Sequence, residues 1–253
     1  MSRLLVIPAA GLGSRLGGTV PKLLVPVAGV PMIDRILDLY QRVVDRVVVV
    51  VTPAFAADVR RHLDKRREAG CLECIEQSSP TGMLDAILLG LPAARTYSPS
   101  SIWVTWCDQV AVHPNTLGRL ASRTSGDPLA ALVFPTVTRQ APYIHFERDS
   151  SRRITRVLHR REGDEMPAIG ESDIGLFAMS PTAYHELLPT YADEVEIGQI
   201  TRERNFLPFI PWLARTHTVA TFPCEDPIEA VGINTPEELG TVERYLRSLS
   251  PEP

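Results

Sequence analysis

A chain of 253 residues, 44% hydrophobic and 22% charged, is long enough to bury a sizeable core as one α/β domain. Its net charge of −4, with the basic runs VRRHLDKRRE and SSRRITRVLHRR broken by acids or apolar residues, argues against nucleic acid as a partner. No apolar run approaches the roughly 20 residues of a membrane span. The N-terminus lacks the layout of a secretory leader, and the chain reads as cytoplasmic.

The elements follow a strand, turn, helix rhythm. RLLVIPA (3–9) and DRVVVVVT (45–52) are continuous apolar runs, the pattern of parallel strands buried on both faces. PMIDRILDLYQRV (31–43) reads as a helix with Pro31 in its first turn, and PAFAADVRRHLDKRREAG (53–70) as a second helix ended by Gly70. CLECIEQ (71–77) follows as a strand. Cys71 and Cys74 have CxxC spacing without a second pair, and in a strand they face opposite ways, so they read as buried thiols rather than zinc ligands. With Cys107 and Cys224 they make four cysteines, too few for a disulfide framework. GMLDAILLGLPAA (82–94) is a helix, SIWVTWC (101–107) a strand, PNTLGRLASRT (114–124) a helix and PLAALVFPTV (128–137) a strand. This alternation predicts a doubly wound, mostly parallel α/β sheet of Rossmann-like type.

From Ala141 the texture changes. PYIHFERD, SRRITRVLH and SDIGLFAMS read as shorter strands of an antiparallel insert around the charged loop RREGDEMPAIGE. PTAYHELLP, GQITRERNFLPFIPWLAR and PEELGTVERYLRSL read as helices and THTVATFP as a last strand, with a frayed SPEP tail. The apolar RNFLPFIPWLA segment suits core packing, an oligomer contact or a pocket wall. The expected organisation is one domain over 1–253: a nucleotide-binding part (1–137), an acceptor-binding insert (138–180) and closing helices with a metal loop (181–253).

Between the first strand and first helix lies AAGLGSRLGGTVPKLLVPVAGVPMIDRIL. A glycine turn after the first strand of such a sheet gathers backbone N–H groups around an anion. Gly11, Gly13 and Gly17 give GxGxxxG rather than the dinucleotide fingerprint GxGxxG, and the phosphate-loop motif GxxxxGK[ST] is absent. A turn carrying Arg15, with Pro21-Lys22 seven residues on, suits a polyphosphate whose charge grows in the transition state; the alternative is two ordinary surface cations.

The stretch resembles the signature of the sugar-phosphate nucleotidyltransferases: G-x-G-[ST]-R-[LM], then P-K, then a helix opened by G-x-P-[ML]. Gly11, Gly13, Ser14, Arg15, Leu16, Pro21, Lys22, Gly29, Pro31 and Met32 fit it. The resemblance implies a nucleotide-diphospho-sugar transferase type of fold and an Mg²⁺-dependent transfer between a nucleoside triphosphate and a phosphorylated small-molecule acceptor. UTP stands ahead of CTP and dTTP, and the assembly is compatible with a homo-oligomer. Arg15 and Lys22 then contact the nucleotide phosphates, with the backbone of Ala9, Ala10, Gly11, Gly13 and Ser14 beside the nucleotide. Asp108, ending the SIWVTWC strand, and Asn234 in EAVGINTPEEL are implied metal ligands, and Thr235-Pro236-Glu237-Glu238 is a cap for the final helix. Gln77, Thr81 and Gly82 stand where the family reads the base.

The acceptor side departs from the family. In ESDIGLFAMS, Glu171 and Gly175 match, but Asp173 stands in place of the sugar-binding Asn and His159 near a sugar-binding Glu. Tyr143, His145, Arg161, Asp173 and Gly175 are therefore the candidates for acceptor binding. The alternatives are a cytidylyltransferase for phosphocholine, a phosphonate or a polyol phosphate, and a molybdopterin-type guanylyltransferase. Further off stand a nucleotide-binding regulator and a glycosyltransferase, which would want a D-x-D motif where Asp108 is followed by Gln109 and Val110.

Overall fold

A computed structural model describes residues 1–11, 16, 20–66, 69–126 and 130–249. The central sheet has eight strands: β1 (Arg3–Ala9), β4 (Arg46–Val51), β5 (Leu72–Glu76), β6 (Ser101–Thr105), β7 (Ala130–Gln140), β10 (Ile169–Asp173), β11 (Leu176–Met179) and β12 (Thr218–Pro223). Four small strands complete the set: the pair β2 (Pro26–Val27) and β3 (Val30–Pro31), and the hairpin of β8 (Ile144–Arg148) and β9 (Ile154–His159). The helices are α1 (Met32–Tyr40), α2 (Pro53–Leu63), α3 (Met83–Leu88), α4 (Leu91–Tyr97), α5 (Pro114–Gly126), α6 (Leu188–Glu194), α7 (Phe209–Leu213) and α8 (Pro236–Leu249).

Sheet order is β10-β7-β11-β6-β1-β4-β5, with β12 parallel to β7 on its other side. The β6-β1-β4-β5 half is parallel, and the apolar runs of β1, β4 and β6 are buried on both faces, as parallel strands between helix layers must be. The doubly wound expectation holds. One apolar layer joins α1, α2, α5 and α8 to one face; the other packs α3, α6 and α7 on the opposite face.

Chain order explains where a ligand can sit. From β1 the chain runs outward to β4 and β5, then returns to place β6 on the other side of β1. The turns leaving β1 and β6 therefore diverge, opening a crevice at the strand ends.

Several elements differ from expectation. The segment SDIGLFAMS is divided: Ser172 and Asp173 end β10, and Leu176 begins β11. Both run antiparallel along β7, with β11 inserted between β7 and β6, so they belong to the main sheet. Asp173 faces Thr136 and Ala178 faces Val133, so the bent strand carries two more residues than its partner. The bulge falls at Ile174-Gly175, where Gly175 takes φ +73°. Of the strands expected in the insert, the β8–β9 hairpin forms a separate antiparallel sheet.

The 82–94 helix is two helices broken near Gly90. Tyr184 Oη donates to Ile87 O at 2.7 Å, and a Cβ on Gly90 would meet that hydroxyl at 2.7 Å; Pro92 brings no N–H to continue the ladder. α2 ends at Leu63 rather than Gly70, its end tied to α1 by Arg66 on Asp34 (2.8 Å) and Asp38 (2.6 Å). Cys71 lies exposed in a 3₁₀ turn, not buried in the strand. Within 198–215 only Phe209–Leu213 is α-helical, because other groups capture the backbone before it. Glu162 accepts from Ile200 N–H (3.1 Å), Asn205 Nδ2 (3.0 Å) and the Thr201 hydroxyl, while Arg204 N–H donates to Thr81 O at 2.8 Å. Phe206, Phe209, Ile210 and Leu213 pack in the core. α8 spans the expected residues, and its cap is present: Glu238 N–H donates to Thr235 Oγ1 (3.2 Å) and Glu238 accepts from Thr235 N–H (2.9 Å). The SPEP tail lies outside the described residues.

Candidate active site

Two cavities meet at the crevice. The smaller, about 290 Å³, is lined by Ala9 and Gly11 after β1, Lys22, and Cys107 and Asp108 after β6. The larger, about 520 Å³, runs beneath the β8–β9 hairpin to the start of α8. Met83, Trp106, Asp108 and Asn234 line both. One space thus has two chambers with a carboxylate and an amide at their junction.

Lys22, in a short 3₁₀ turn after Pro21, reaches that junction. Its Nζ donates to Asp108 Oδ2 at 2.6 Å and to Asn234 Oδ1 at 2.8 Å. Three segments far apart in the chain converge on one ammonium. Burial by itself lowers the Lys22 pKa, but the Asp108 carboxylate outweighs it and holds the group above its usual value, fully charged at neutral pH. Glu238 accepts from Asn234 N–H at 2.8 Å, so the helix cap also sets the Asn234 backbone. Cys107, half-buried beside Lys22, has its thiol pushed up to about 11 by desolvation, so it stays a protonated wall of the chamber at neutral pH.

Asp108 and Asn234 present hard oxygen donors. Among the described residues no three His, Cys, Asp or Glu side chains cluster closely enough to hold a metal by themselves. A divalent ion here would complete its shell with water and phosphate oxygens, the habit of Mg²⁺ rather than Zn²⁺. That two oxygens already share one cation shows the spot is electrostatically suited to positive charge.

Of the expected nucleotide contacts, Ala9, Gly11 and Lys22 line the smaller chamber, and Ala10 lies between the first two. Gly13, Ser14 and Arg15 lie outside the described residues. Gln77 is buried after β5, its Nε2 donating to Gly82 O (3.1 Å) and Thr81 Oγ1 (3.3 Å). Those three residues form one cluster, but it is the next residue, Met83, that lines the chamber. Gly82 takes φ +122° and lies against Arg204, whose backbone N would be 2.5 Å from an added Cβ.

Of the expected acceptor contacts, Tyr143 and Asp173 line the larger chamber. His145 and Arg161 do not: His145 Nδ1 lies 3.3 Å from Glu171 O, and Arg161 is exposed in a 3₁₀ turn. Glu171 is turned to Arg148, with bonds of 2.7 and 2.8 Å. Gly175 acts through its neighbours, since an added Cβ would lie 2.3 Å from Trp106 Cδ1 and 2.8 Å from Gln109 Cγ. Residues missed in the sequence are Trp106, Gln109 and Arg139, which line the chamber; His159, noted there as standing near a sugar-binding Glu, lines it too and meets Tyr143 edge to face at 5.5 Å. Trp106 and Gln109 flank Asp108, the one signal that adjacency offered.

Asp173 accepts from Gly175 N–H at 2.7 Å, but desolvation dominates and raises its carboxyl to about 6, with Arg139 and Trp106 pulling the other way. The folded protein then holds a proton, between about pH 4 and pH 6, that the unfolded chain has lost. Stability from this group is present below that window and lost as pH rises through 6, a difference of roughly 3 kcal/mol. Asp173→Asn should therefore gain about that much over the parent between pH 4 and pH 8 in urea unfolding; a gain independent of pH would contradict it.

An open α/β sheet with a fixed cation and a two-chamber crevice at its switch point is the framework at whose strand ends nucleotides bind. The family profile for the MobA-like NTP transferase domain matches residues 5–172, about two thirds of the chain, and the protein belongs to that family. It is 28% identical over 252 residues to "Bifunctional protein GlmU" of Pseudomonas entomophila (strain L48), covering 98% of this chain and 52% of the relative. It is 27% identical over 248 residues to the protein of the same name from Pelotomaculum thermopropionicum. The chain spans about half the length of these curated relatives. A crystal structure described as a glucose-1-phosphate thymidylyltransferase from Bacillus anthracis, in complex with sucrose, superposes with a TM-score of 0.78 over 100% of this chain and 98% of the other, at 14% identity. At that identity the likeness speaks for the fold. The resemblance drawn from the glycine loop and the Pro21-Lys22 pair is borne out at the family level. No helix among the described residues is long and apolar enough to cross a membrane.

Proposed function

We propose that the protein is a nucleotidyltransferase that joins a nucleoside monophosphate unit to a phosphorylated small molecule and releases pyrophosphate. The observation that carries this reading is the meeting of two chambers at Asp108 and Asn234, with the Lys22 ammonium fixed between them. The triphosphate lies beside Gly11 and Lys22 in the smaller chamber and the acceptor occupies the larger one. A sugar 1-phosphate is the favoured acceptor and UTP the favoured nucleotide, on the strength of the motif likeness. The acceptor-side departures, Asp173 foremost, keep a polyol, phosphonate or choline phosphate as the second reading.

The chemistry needs little from the protein beyond position and charge. A phosphate monoester, with its second pKa near about 6, is already largely ionised at neutral pH, so its oxygen attacks the α-phosphorus without a general base. The bond from that phosphorus to the bridging oxygen breaks, and pyrophosphate leaves with the electron pair. Lys22 presents a charge that needs no reorganisation, because two side chains already hold it. Arg15 is proposed to act on the same phosphates. Asp108 and Asn234 are the residues that would hold Mg²⁺. When bound, the ion would supply further positive charge to the α-phosphate and the departing pyrophosphate. Trp106 and Met83 line both chambers and form apolar walls where the two spaces meet.

The test is a matrix of four nucleoside triphosphates against acceptor phosphates, read as pyrophosphate with Mg²⁺ and with EDTA. Pyrophosphate that requires both an acceptor and Mg²⁺ is expected. Activity unchanged by EDTA would remove the metal role of Asp108 and Asn234.

A further inference from the structure

Gln109, one residue beyond Asp108, is 5% exposed and lines the larger chamber. Its amide oxygen is buried without a hydrogen-bond partner among the described residues. Folded proteins rarely leave such an atom unpaired, because its desolvation is not repaid until a donor arrives. The side chain is also closely housed. A Cβ on Gly175 would come 2.8 Å from its Cγ, and one on Gly232 would come 3.2 Å from its Nε2. Glycines from β11's entry and from the loop before α8 leave room that this amide shares with Trp106 and Asp108, which the added Cβ atoms would meet first. Asp173, on the same chamber, also offers oxygen acceptors.

We infer that the Gln109 amide oxygen reads a hydrogen-bond donor of the acceptor molecule. The acceptor is accordingly a phosphate ester that carries a hydroxyl or a primary amine, its phosphate at Asp108 and its donor just beyond. Gln109 thereby sets specificity. This rests on the nucleotidyltransfer reading. It accounts for an orphaned atom beside the reacting position.

The test compares acceptors with and without the donor, in pyrophosphate release by the full chain with the nucleotide found best in the matrix. Glucose 1-phosphate is paired with 2-deoxyglucose 1-phosphate for the hydroxyl source. Phosphoethanolamine is paired with phosphocholine, whose quaternary nitrogen has no N–H, for the amine source. The wild type should favour the donor-bearing member of one pair by about tenfold or more in kcat/KM. Gln109→Met, which keeps length and bulk, should shrink that preference to about twofold through the acceptor KM, with the nucleotide KM unchanged. Gln109→Glu, which keeps oxygen acceptors, should preserve the preference. A Gln109→Met enzyme with the wild-type preference would overturn the inference, as would a wild-type enzyme that turns over an acceptor lacking any O–H or N–H donor outside its phosphate as fast as its donor-bearing partner. The wild-type preference is read whether or not a variant folds. Pyrophosphate formed without donor preference removes this inference alone; no pyrophosphate with any acceptor removes the nucleotidyltransfer reading and this inference with it.

Discussion

Lys22→Ala should lower kcat by roughly 30- to 1000-fold, the 2–4 kcal/mol typical of losing one preorganised donor at a developing negative charge. Lys22 is placed for such an effect because Asp108 and Asn234 hold its ammonium at 2.6 and 2.8 Å, in a largely buried position. Removing it leaves the Asp108 carboxylate partly buried without its counter-ion, so some stability is lost as well, about 1–3 kcal/mol. The two consequences separate experimentally. Steady-state kinetics at a temperature where circular dichroism shows a folded variant report the first, and urea unfolding the second. Lys22→Arg should recover only part of the rate, since a planar guanidinium cannot stand where a compact ammonium meets two oxygens. Near-normal kcat in Lys22→Ala would end the role assigned to this residue.

Asp108→Asn should cost a further large factor, at least about a hundredfold in kcat/KM, because it removes the single negative charge at the chamber junction. The substitution keeps size and one oxygen, so loss of fold is not the expected cause. It should also raise the Mg²⁺ concentration for half-maximal activity by about tenfold, read by titration at fixed nucleotide. The sign for Lys22 follows from the same pair. Without the carboxylate, burial acts on the ammonium with its strongest opponent gone, and the Lys22 pKa moves down from its raised position. An Asp108→Asn enzyme with the parent's Mg²⁺ requirement would show that the carboxylate does not serve the metal.

How much of this was legible beforehand depended on whether the signal was local. The glycine turn, Pro21-Lys22 and the α8 cap are contiguous motifs, and β1, β4 and β6 are unbroken apolar runs, so the parallel half of the sheet and its crevice could be read off. The β10–β11 strand was read as part of an insert because its residues are few and its partners, β7 and β6, lie tens of positions away. Nothing local in ESDIGLFAMS marks a bulge except Gly175, whose positive φ is visible only once the register is known. The 198–208 segment carries helical spacing, yet Glu162, in the 3₁₀ turn after β9, takes its backbone and side-chain donors. Burial works against that carboxylate, but those bonds hold its pKa down at about 2. Lys22 was expected at phosphates; that it also bridges Asp108 and Asn234 is a contact across 86 and 212 positions of chain. Gln109 was passed over because its importance lies in an unpaired atom, which no sequence pattern carries.

The most direct test of the account is a ³¹P NMR spectrum of the wild-type protein incubated with UTP, Mg²⁺ and an acceptor phosphate. Attack at the α-phosphorus across the two chambers predicts inorganic pyrophosphate together with coupled resonances of a new diphosphate ester, in equal amounts. UDP with inorganic phosphate, or a phosphorylated acceptor without pyrophosphate, would place the reaction at another phosphorus and contradict the arrangement around Lys22, Asp108 and Asn234.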